Sequence, residues 1–292
     1  MTEARTTLEL VVDGLTITAL TAGPPGRPLI AALPGGTYTG EYFDVPGSAR
    51  GSFMRTATAA GYQVAGFDRP GYGGSTALSP AGNTFDRHAQ LLDAAIAQAA
   101  SHLGADRVFL VGHSIGGMIA MMIAAEGPSF PLIGLSVTGM GAVLNSNGAA
   151  EALAQLPADA TVDLPYDQRD QVMFGPDGTY SSAAVEAAHR SYAPVPVREL
   201  IQAPRWPVDR LPGLAAHVRV PVHNAVAEHD MLWDSSPESV EKFAAMLTAA
   251  PFVSATIARG TGHSIDHHTL GHALHLRQLA FAEECAAWAE RE

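Results

Sequence analysis

A single cysteine, Cys285, excludes an intramolecular disulfide and any metal site built from several cysteines. Lys242 is the only lysine, so the positive charge is almost all arginine, and no basic run occurs anywhere. With 17 Lys and Arg against 29 Asp and Glu, the net charge of −12 argues against nucleic acid or an anionic membrane as partner. The longest apolar run, Ile115–Ala125, is broken by Gly116-Gly117 and is too short to cross a bilayer. Met1–Thr7 lacks a basic segment followed by an apolar core, so no secretory signal is expected and a cytoplasmic protein is the default. No H-E-x-x-H accompanies the histidines, and neither G-x-G-x-x-G nor a Walker lysine follows Gly35-Gly36. Neither a metal nor a nucleotide or other cofactor is therefore expected.

What is present is apolar and ordered. The 292 residues are 47% hydrophobic and 16% charged, enough to bury the core of a large α/β domain, alone or with a small second module. Leu8–Val12 and Leu15–Ala19 flank Asp13-Gly14, a two-residue hairpin signal. Strand-like runs then alternate with helical ones: strand Pro28–Leu33, helix Ser48–Ala60, strand Gln63–Phe67, helix Thr84–Leu103 and strand Arg107–Val111. Phe85, His88, Leu92, Ile96, Ala99 and Leu103 recur at three- and four-residue steps, one face of a helix. A further helix precedes strand Leu132–Val137. Such alternation implies a doubly wound, mostly parallel sheet covered on both faces, of the eight-stranded type, with an antiparallel N-terminal hairpin.

The rhythm breaks between Gly141 and Leu211, where eight prolines between Pro157 and Pro212 leave room only for short helices and turns. It then resumes with strand Val220–Ala227, a helix capped by Ser236-Pro237 and running to Ala250, strand Phe252–Ala258 and helix Leu270–Trp288. The expected division is a core of residues 1–139 and 214–292 with an insert, 140–213, forming a helical lid at the carboxyl edge of the sheet, where open α/β folds bind ligands.

Gly112-His113-Ser114-Ile115-Gly116 sits between the strand ending at Val111 and the helical run Met118–Ala125. A G-x-S-x-G in that context is a nucleophile elbow, a sharp strained turn that exposes the serine hydroxyl. The backbone reverses so tightly that side chains two residues either side of the serine would collide with each other and with the neighbouring strand. A serine hydroxyl needs a base within hydrogen-bond reach and an acid to orient that base. Two loops at strand ends supply candidates in the order serine, acid, histidine: Asp230, closing Ala225–Asp230, and His263, in Gly260-Thr261-Gly262-His263. Glu228 falls on the other side of its extended segment, and Asp234 lies towards the following helix. His267, His268, His272 and His275 are the alternatives for the base. The last three fall at helical spacing and read as an exposed or partly packed helix face. His113 reads as a local packing residue without a proton-transfer role. Asp68 and Arg69 read as structural pairs. The expected oxyanion donors are the N–H of Ile115 and that of Gly36, with Thr37 the alternative to Gly36.

Together these segments resemble the α/β-hydrolase superfamily over nearly the whole chain. Pro34-Gly35-Gly36 lies at the oxyanion position, Asp68–Ser75 fits D-x-x-G-x-G-x-S, and the elbow, acid loop and Gly-x-Gly-His ending follow in order. Pro34 stands where the family often has histidine. The resemblance implies a lidded, cofactor-free serine hydrolase acting on a small to medium, largely apolar carboxylic ester, lactone or thioester through an acyl-serine. The same triad also suits C–C bond hydrolysis, acyl transfer or perhydrolysis, and a non-catalytic ligand-binding descendant would share the fold. Tyr38, Met140 and Trp206 are candidate substrate-binding residues, with Tyr42, Phe43, Met173, Phe174 and Tyr192 as further pocket walls; each of the eight reads equally as plain core. The expected partner is a small molecule; a homodimer is left open.

Overall fold

Asp13 and Gly14 both adopt left-handed conformations (φ 51° and 77°), which matches the right-handed twist of the two strands they join. Strands β1 (Thr6–Val12) and β2 (Leu15–Ala22) pair antiparallel, Val12 opposite Leu15. The computed structural model describes residues 5–46, 50–145 and 156–291. After β3 (Leu29–Leu33) comes helix α1 (Phe53–Ala59), shorter than the helix expected from Ser48. The Ser52 side chain accepts the Arg55 N–H and so caps the helix there, while residues 47–49 lie outside the described residues. Next are β4 (Gln63–Phe67), α2 (Phe85–Leu103), β5 (Val108–His113), α3 (Ile115–Glu126) and β6 (Leu132–Thr138). Thr84 caps α2, and Gly104 at φ 67° ends it.

The stretch after β6 contains two short strands, β7 (Thr161–Val162) and β8 (Val195–Pro196). Its helices among the described residues are α4 (Tyr166–Met173), α5 (Ser182–Arg190), α6 (Val197–Gln202), α7 (Trp206–Asp209) and α8 (Leu211–Ala215), none longer than nine residues. Residues 146–155 of this stretch lie outside the described residues. The chain closes with β9 (Val222–Ala227), α9 (Pro237–Met246), β10 (Val253–Ala258) and α10 (Gly271–Ala289). Helix α9 stops short of the expected Ala250, since Pro251 disfavours helical backbone before it.

The eight-stranded sheet runs β1-β2-β4-β3-β5-β6-β9-β10. The β1/β2 and β2/β4 pairs are antiparallel and the rest parallel. Helices α2, α3 and α9 pack one face through residues such as Leu92, Ile119 and Phe243. Helices α1 and α10 pack the other through Phe53, Met54, Leu279 and Phe281. Every residue of α3 from Ile115 to Ala124 is buried, as its all-round apolar sequence requires. At about 1.5–3 kcal/mol per buried large apolar side chain, this central helix fixes the elbow to the core.

At the carboxyl edge, isolated β-bridges tie the stretch between β6 and β9 to the surrounding loops. Tyr192 pairs with Tyr38 after β3, Leu144 with Trp233 after β9, and Tyr180 with His268 after β10. No helix of the described residues is long and apolar enough to cross a membrane.

Candidate active site

Ser114 is the residue between β5 and α3, with φ 52° and ψ −121°. Its N–H donates to the Thr138 carbonyl (2.8 Å), and its carbonyl accepts the Met118 N–H (3.0 Å), so both halves of the turn are held. A Cβ on Gly112 would lie 2.6 Å from the Gly116 carbonyl oxygen, and one on Gly116 would lie 2.1 Å from that of Leu33 on β3. Only glycine fits either place, for the steric reason the motif implies.

Ser114, Asp230 and His263 come together on the carboxyl edge of the sheet. His263 Nε2 is 3.0 Å from Ser114 Oγ, and its Nδ1 lies 3.0 and 3.1 Å from the two carboxylate oxygens of Asp230. A neutral imidazole facing a carboxylate through Nδ1 carries its proton there and leaves Nε2 free to accept the serine hydroxyl. Asp230 is itself fixed: Oδ1 accepts the N–H groups of Leu232 (2.9 Å) and Trp233 (3.1 Å). Asn145 Nδ2 donates to the carbonyls of both Asp230 and Trp233, closing the loop. The other two carboxylates are engaged elsewhere. Glu228 accepts the Gly260 N–H, and Asp234 accepts the backbone N–H and hydroxyl of Ser236.

The loop after β3 lies against the serine. A Cβ on Gly35 would be 3.0 Å from Ser114 Cβ, and one on Gly36 would be 3.0 Å from Ile115 Cδ1. Behind this loop Arg69, wholly buried, donates from Nε to the Pro34 carbonyl and from a terminal nitrogen to that of Gly35, each at 3.1 Å. In a trans peptide the N–H points opposite the C=O, so a Gly35 carbonyl turned towards Arg69 turns the Gly36 N–H away from it. The Ile115 N–H begins α3, among the donors that a helix leaves without an internal partner. Arg69 is balanced by buried Glu199 of α6 (2.7 Å), which also accepts the Tyr72 hydroxyl. Asp68, by contrast, accepts Thr18 Oγ1 and the Gly40 N–H. The motif around Asp68 points to a structural role for Arg69, but a glutamate 130 residues later carries no local signal.

Of the histidines after β10, His272 is partly packed on α10, as expected, but His268 and His275 are buried. His268 precedes α10 and is buried. Its Nδ1–H donates to the Ser264 carbonyl, while Nε2 accepts the N–H groups of both Gly175 and Gly262. His275 is buried within α10 and contacts Asp266 at 3.0 Å, and Asp266 also accepts the Tyr42 hydroxyl. Burial acts to raise the Asp266 carboxyl, but the hydrogen bond and charge of His275 outweigh it and hold it down to about 2. The sequence signal was Asp266 itself, nine residues ahead of His275, since a buried imidazole needs a partner. His113 stacks on Tyr42 with ring centroids 4.7 Å apart, and burial, reinforced by His263, keeps it well below the ordinary histidine value. Among the described residues no group of three or more His, Cys, Asp or Glu could hold a metal ion.

Tyr38, Met140 and Trp206 are all buried. The Tyr38 hydroxyl contacts Ser264 Oγ (3.1 Å), beside His263, and Met140 sits against Gly117 at the start of α3. Trp206 borders a cavity of about 250 Å³, together with Phe85 and Gln202, whose lining does not include Ser114. Tyr42, Phe43 and Phe174 belong to the core on the α1 side, with Met173 packed against it. Tyr192 turns its hydroxyl to Asp163 and the Leu164 N–H.

Known structures share this arrangement of elements. An esterase from Thermogutta terrifontis is 18% identical, with 97% of this chain and 99% of that one covered at a TM-score of 0.68. An esterase from Exiguobacterium antarcticum is 17% identical over 94% and 97%, at 0.65. The thioesterase domain of the curacin biosynthetic pathway is 18% identical over 94% and 99%, at 0.64. At such identities the likeness is one of fold. No curated protein sequence matches the chain. The family pattern described as the alpha/beta hydrolase family matches residues 30–284, nearly the whole fold just described, and the chain belongs to that family.

Proposed function

We propose that this chain is a serine hydrolase of small to medium, largely apolar carboxylic esters, lactones or thioesters. The observation that carries the proposal is the unbroken run of hydrogen bonds from Ser114 through His263 to Asp230. In this reading the Ser114 hydroxyl attacks the acyl carbon while His263 Nε2 takes its proton. The electron pair displaced from the carbonyl rests on an oxygen facing the N–H groups of Gly36 and Ile115. When the tetrahedral species collapses, His263 returns the proton to the leaving alcohol or thiol, and Ser114 keeps the acyl group as an ester. Water, activated by the same imidazole, then releases the acid. Asp230 holds the tautomer and stabilises the imidazolium, and each oxyanion donor contributes on the order of 3 kcal/mol.

Residues 140–213 act in this proposal as a lid, a role supported by the three bridges that join them to the loops after β3, β9 and β10. The esterases and the thioesterase among the structures of similar fold are in keeping with the substrate class. A panel of p-nitrophenyl esters from two to twelve acyl carbons, with matched thioesters and lactones, tests the proposal. Turnover of at least one class is expected, with a chain-length optimum. A folded protein inert towards every member would contradict it.

A further inference from the structure

The loop after β10 carries a second imidazole that the mechanism above leaves unused. The Nε2 of buried His268 accepts the N–H groups of Gly262 and Gly175, both at 2.9 Å, and its Nδ1–H donates to the Ser264 carbonyl at 2.9 Å. Gly262 and Ser264 stand on either side of His263. One ring therefore holds the backbone both before and after the base of the proposed mechanism. A ring nitrogen has one lone pair, and here it serves two backbone donors from segments far apart in the chain. Neither donor can turn away without losing its acceptor, which a buried N–H does only at a cost. Both sets of partners select the same tautomer, with the proton on Nδ1 and the lone pair on Nε2. The surroundings are tight. A Cβ on Gly262 would lie 2.3 Å from the Gly175 nitrogen, so backbone meets backbone there. The Ser264 N–H donates to the Met173 carbonyl (2.8 Å), and the rings of Phe174 and Tyr180 lie 5.7 and 5.8 Å from that of His268. The same loop is tied to the acid, since the Thr261 carbonyl accepts the N–H of His229, next to Asp230, at 3.0 Å.

We infer that His268 is the positioning residue of His263 and that, through Gly175, it joins the proposed lid to the base; the inference rests on the serine hydrolase reading. His263 has to keep Nε2 within reach of Ser114 Oγ while Nδ1 faces Asp230. It does so from the glycine-flanked loop Gly260-Thr261-Gly262, whose backbone would otherwise sample many conformations. His268 removes that freedom at both neighbours of His263. It meets neither the substrate nor the reacting atoms and transfers no proton, so it acts only through the alignment of the other imidazole. Because one lone pair holds both Gly175 and Gly262, the segment after α4 and the backbone before His263 move together.

The test is His268→Asn, which keeps a donor near the place of Nδ1 and removes the acceptor at Nε2, beside His268→Gln, whose amide oxygen reaches the place of Nε2. Each is assayed with p-nitrophenyl butyrate and for the rate at which a fluorophosphonate labels Ser114. The expected result for His268→Asn is a kcat about 100-fold lower, the size of loss that a small misplacement of a reacting group brings, with KM changed less than about threefold. Labelling should slow by a similar factor, because the probe reads the serine and its base directly. His268→Gln should recover most of both rates. The asparagine variant strands two buried N–H groups, so His268→Ala, whose cavity admits water to them, takes its place should it not fold, with the same loss expected. A folded asparagine or alanine variant turning over at the wild-type rate overturns the inference. So does a folded glutamine variant as slow as these, or a lowered kcat with labelling at the wild-type rate. Each of those results leaves the serine mechanism intact. Wild-type turnover by Ser114→Ala would overturn the mechanism, and the inference with it.

Discussion

Changing Ser114 to alanine is expected to lower kcat on activated esters by on the order of 10⁴- to 10⁶-fold, with the fold retained. In the proposed mechanism the loss is large because one atom, the serine Oγ, is both the attacking group and the carrier of the acyl intermediate. What remains would come from binding and from the oxyanion donors, which act without a nucleophile. His263→Ala should cost a similar factor, and the double variant little more than either single one, because residues that work as one unit do not contribute independently. Full additivity of the two losses would mean that Ser114 and His263 do not act on the same proton. The measurement is kcat for all three variants on one ester, with circular dichroism to show that each has folded.

The second large effect is on stability towards acid. Burial lowers the pKa of His267 and of His223 to about 4. Burial also keeps His88 and His113 well below the ordinary value, further lowered by Arg69 and His263 respectively. In the unfolded chain these imidazoles take up protons near pH 6.5. Between that pH and about 4 the unfolded state therefore binds more protons than the native one, and stability falls as pH falls. The contribution is present in full above pH 6.5 and lost on the way down to the native value. For His267 and His223 the slope is about 1.4 kcal/mol per pH unit each, roughly 3 kcal/mol apiece by pH 4. Asp266, held at about 2, adds a loss that begins below its ordinary value near 3.8. Against a typical total of about 5–15 kcal/mol, a loss of this size should make the protein markedly less stable in mild acid. Urea midpoints at pH 7.5, 6 and 5 should fall steeply, whereas a midpoint constant across that range would contradict the account. His267→Gln retains a donor for the Tyr42 carbonyl, which Nε2–H now meets at 3.0 Å, and should flatten the dependence.

The parts of this molecule that could be read from its sequence are those fixed by local sterics or by topology. Asp13-Gly14 makes a hairpin because both residues tolerate left-handed backbone, and Gly112 and Gly116 bracket Ser114 because nothing larger fits. The meeting of Ser114, Asp230 and His263 follows from parallel strands whose carboxyl ends share one edge. What could not be read depends on distant partners. The buried Arg69–Glu199 pair joins the D-x-x-G-x-G-x-S loop to α6, and nothing at either position announces the other. It grips the carbonyls of Pro34 and Gly35 and so steadies a loop that lacks the usual histidine. The row His268, His272, His275 misleads for a similar reason. Helical spacing alone cannot show that His268 lies before the helix begins, receiving two backbone N–H groups, or that Asp266 waits for His275. A run of polar residues reads as a solvated face until its partners are known.

The central claim is that Ser114 is a nucleophile activated by His263. A fluorophosphonate probe reacts far faster with such an activated serine than with an ordinary one, so the decisive measurement is mass mapping of the labelled peptide. The account predicts one phosphonyl group per chain, on the peptide containing Ser114, with labelling abolished in His263→Ala. A folded protein that takes up no label, or that carries it on a different serine, would contradict the account.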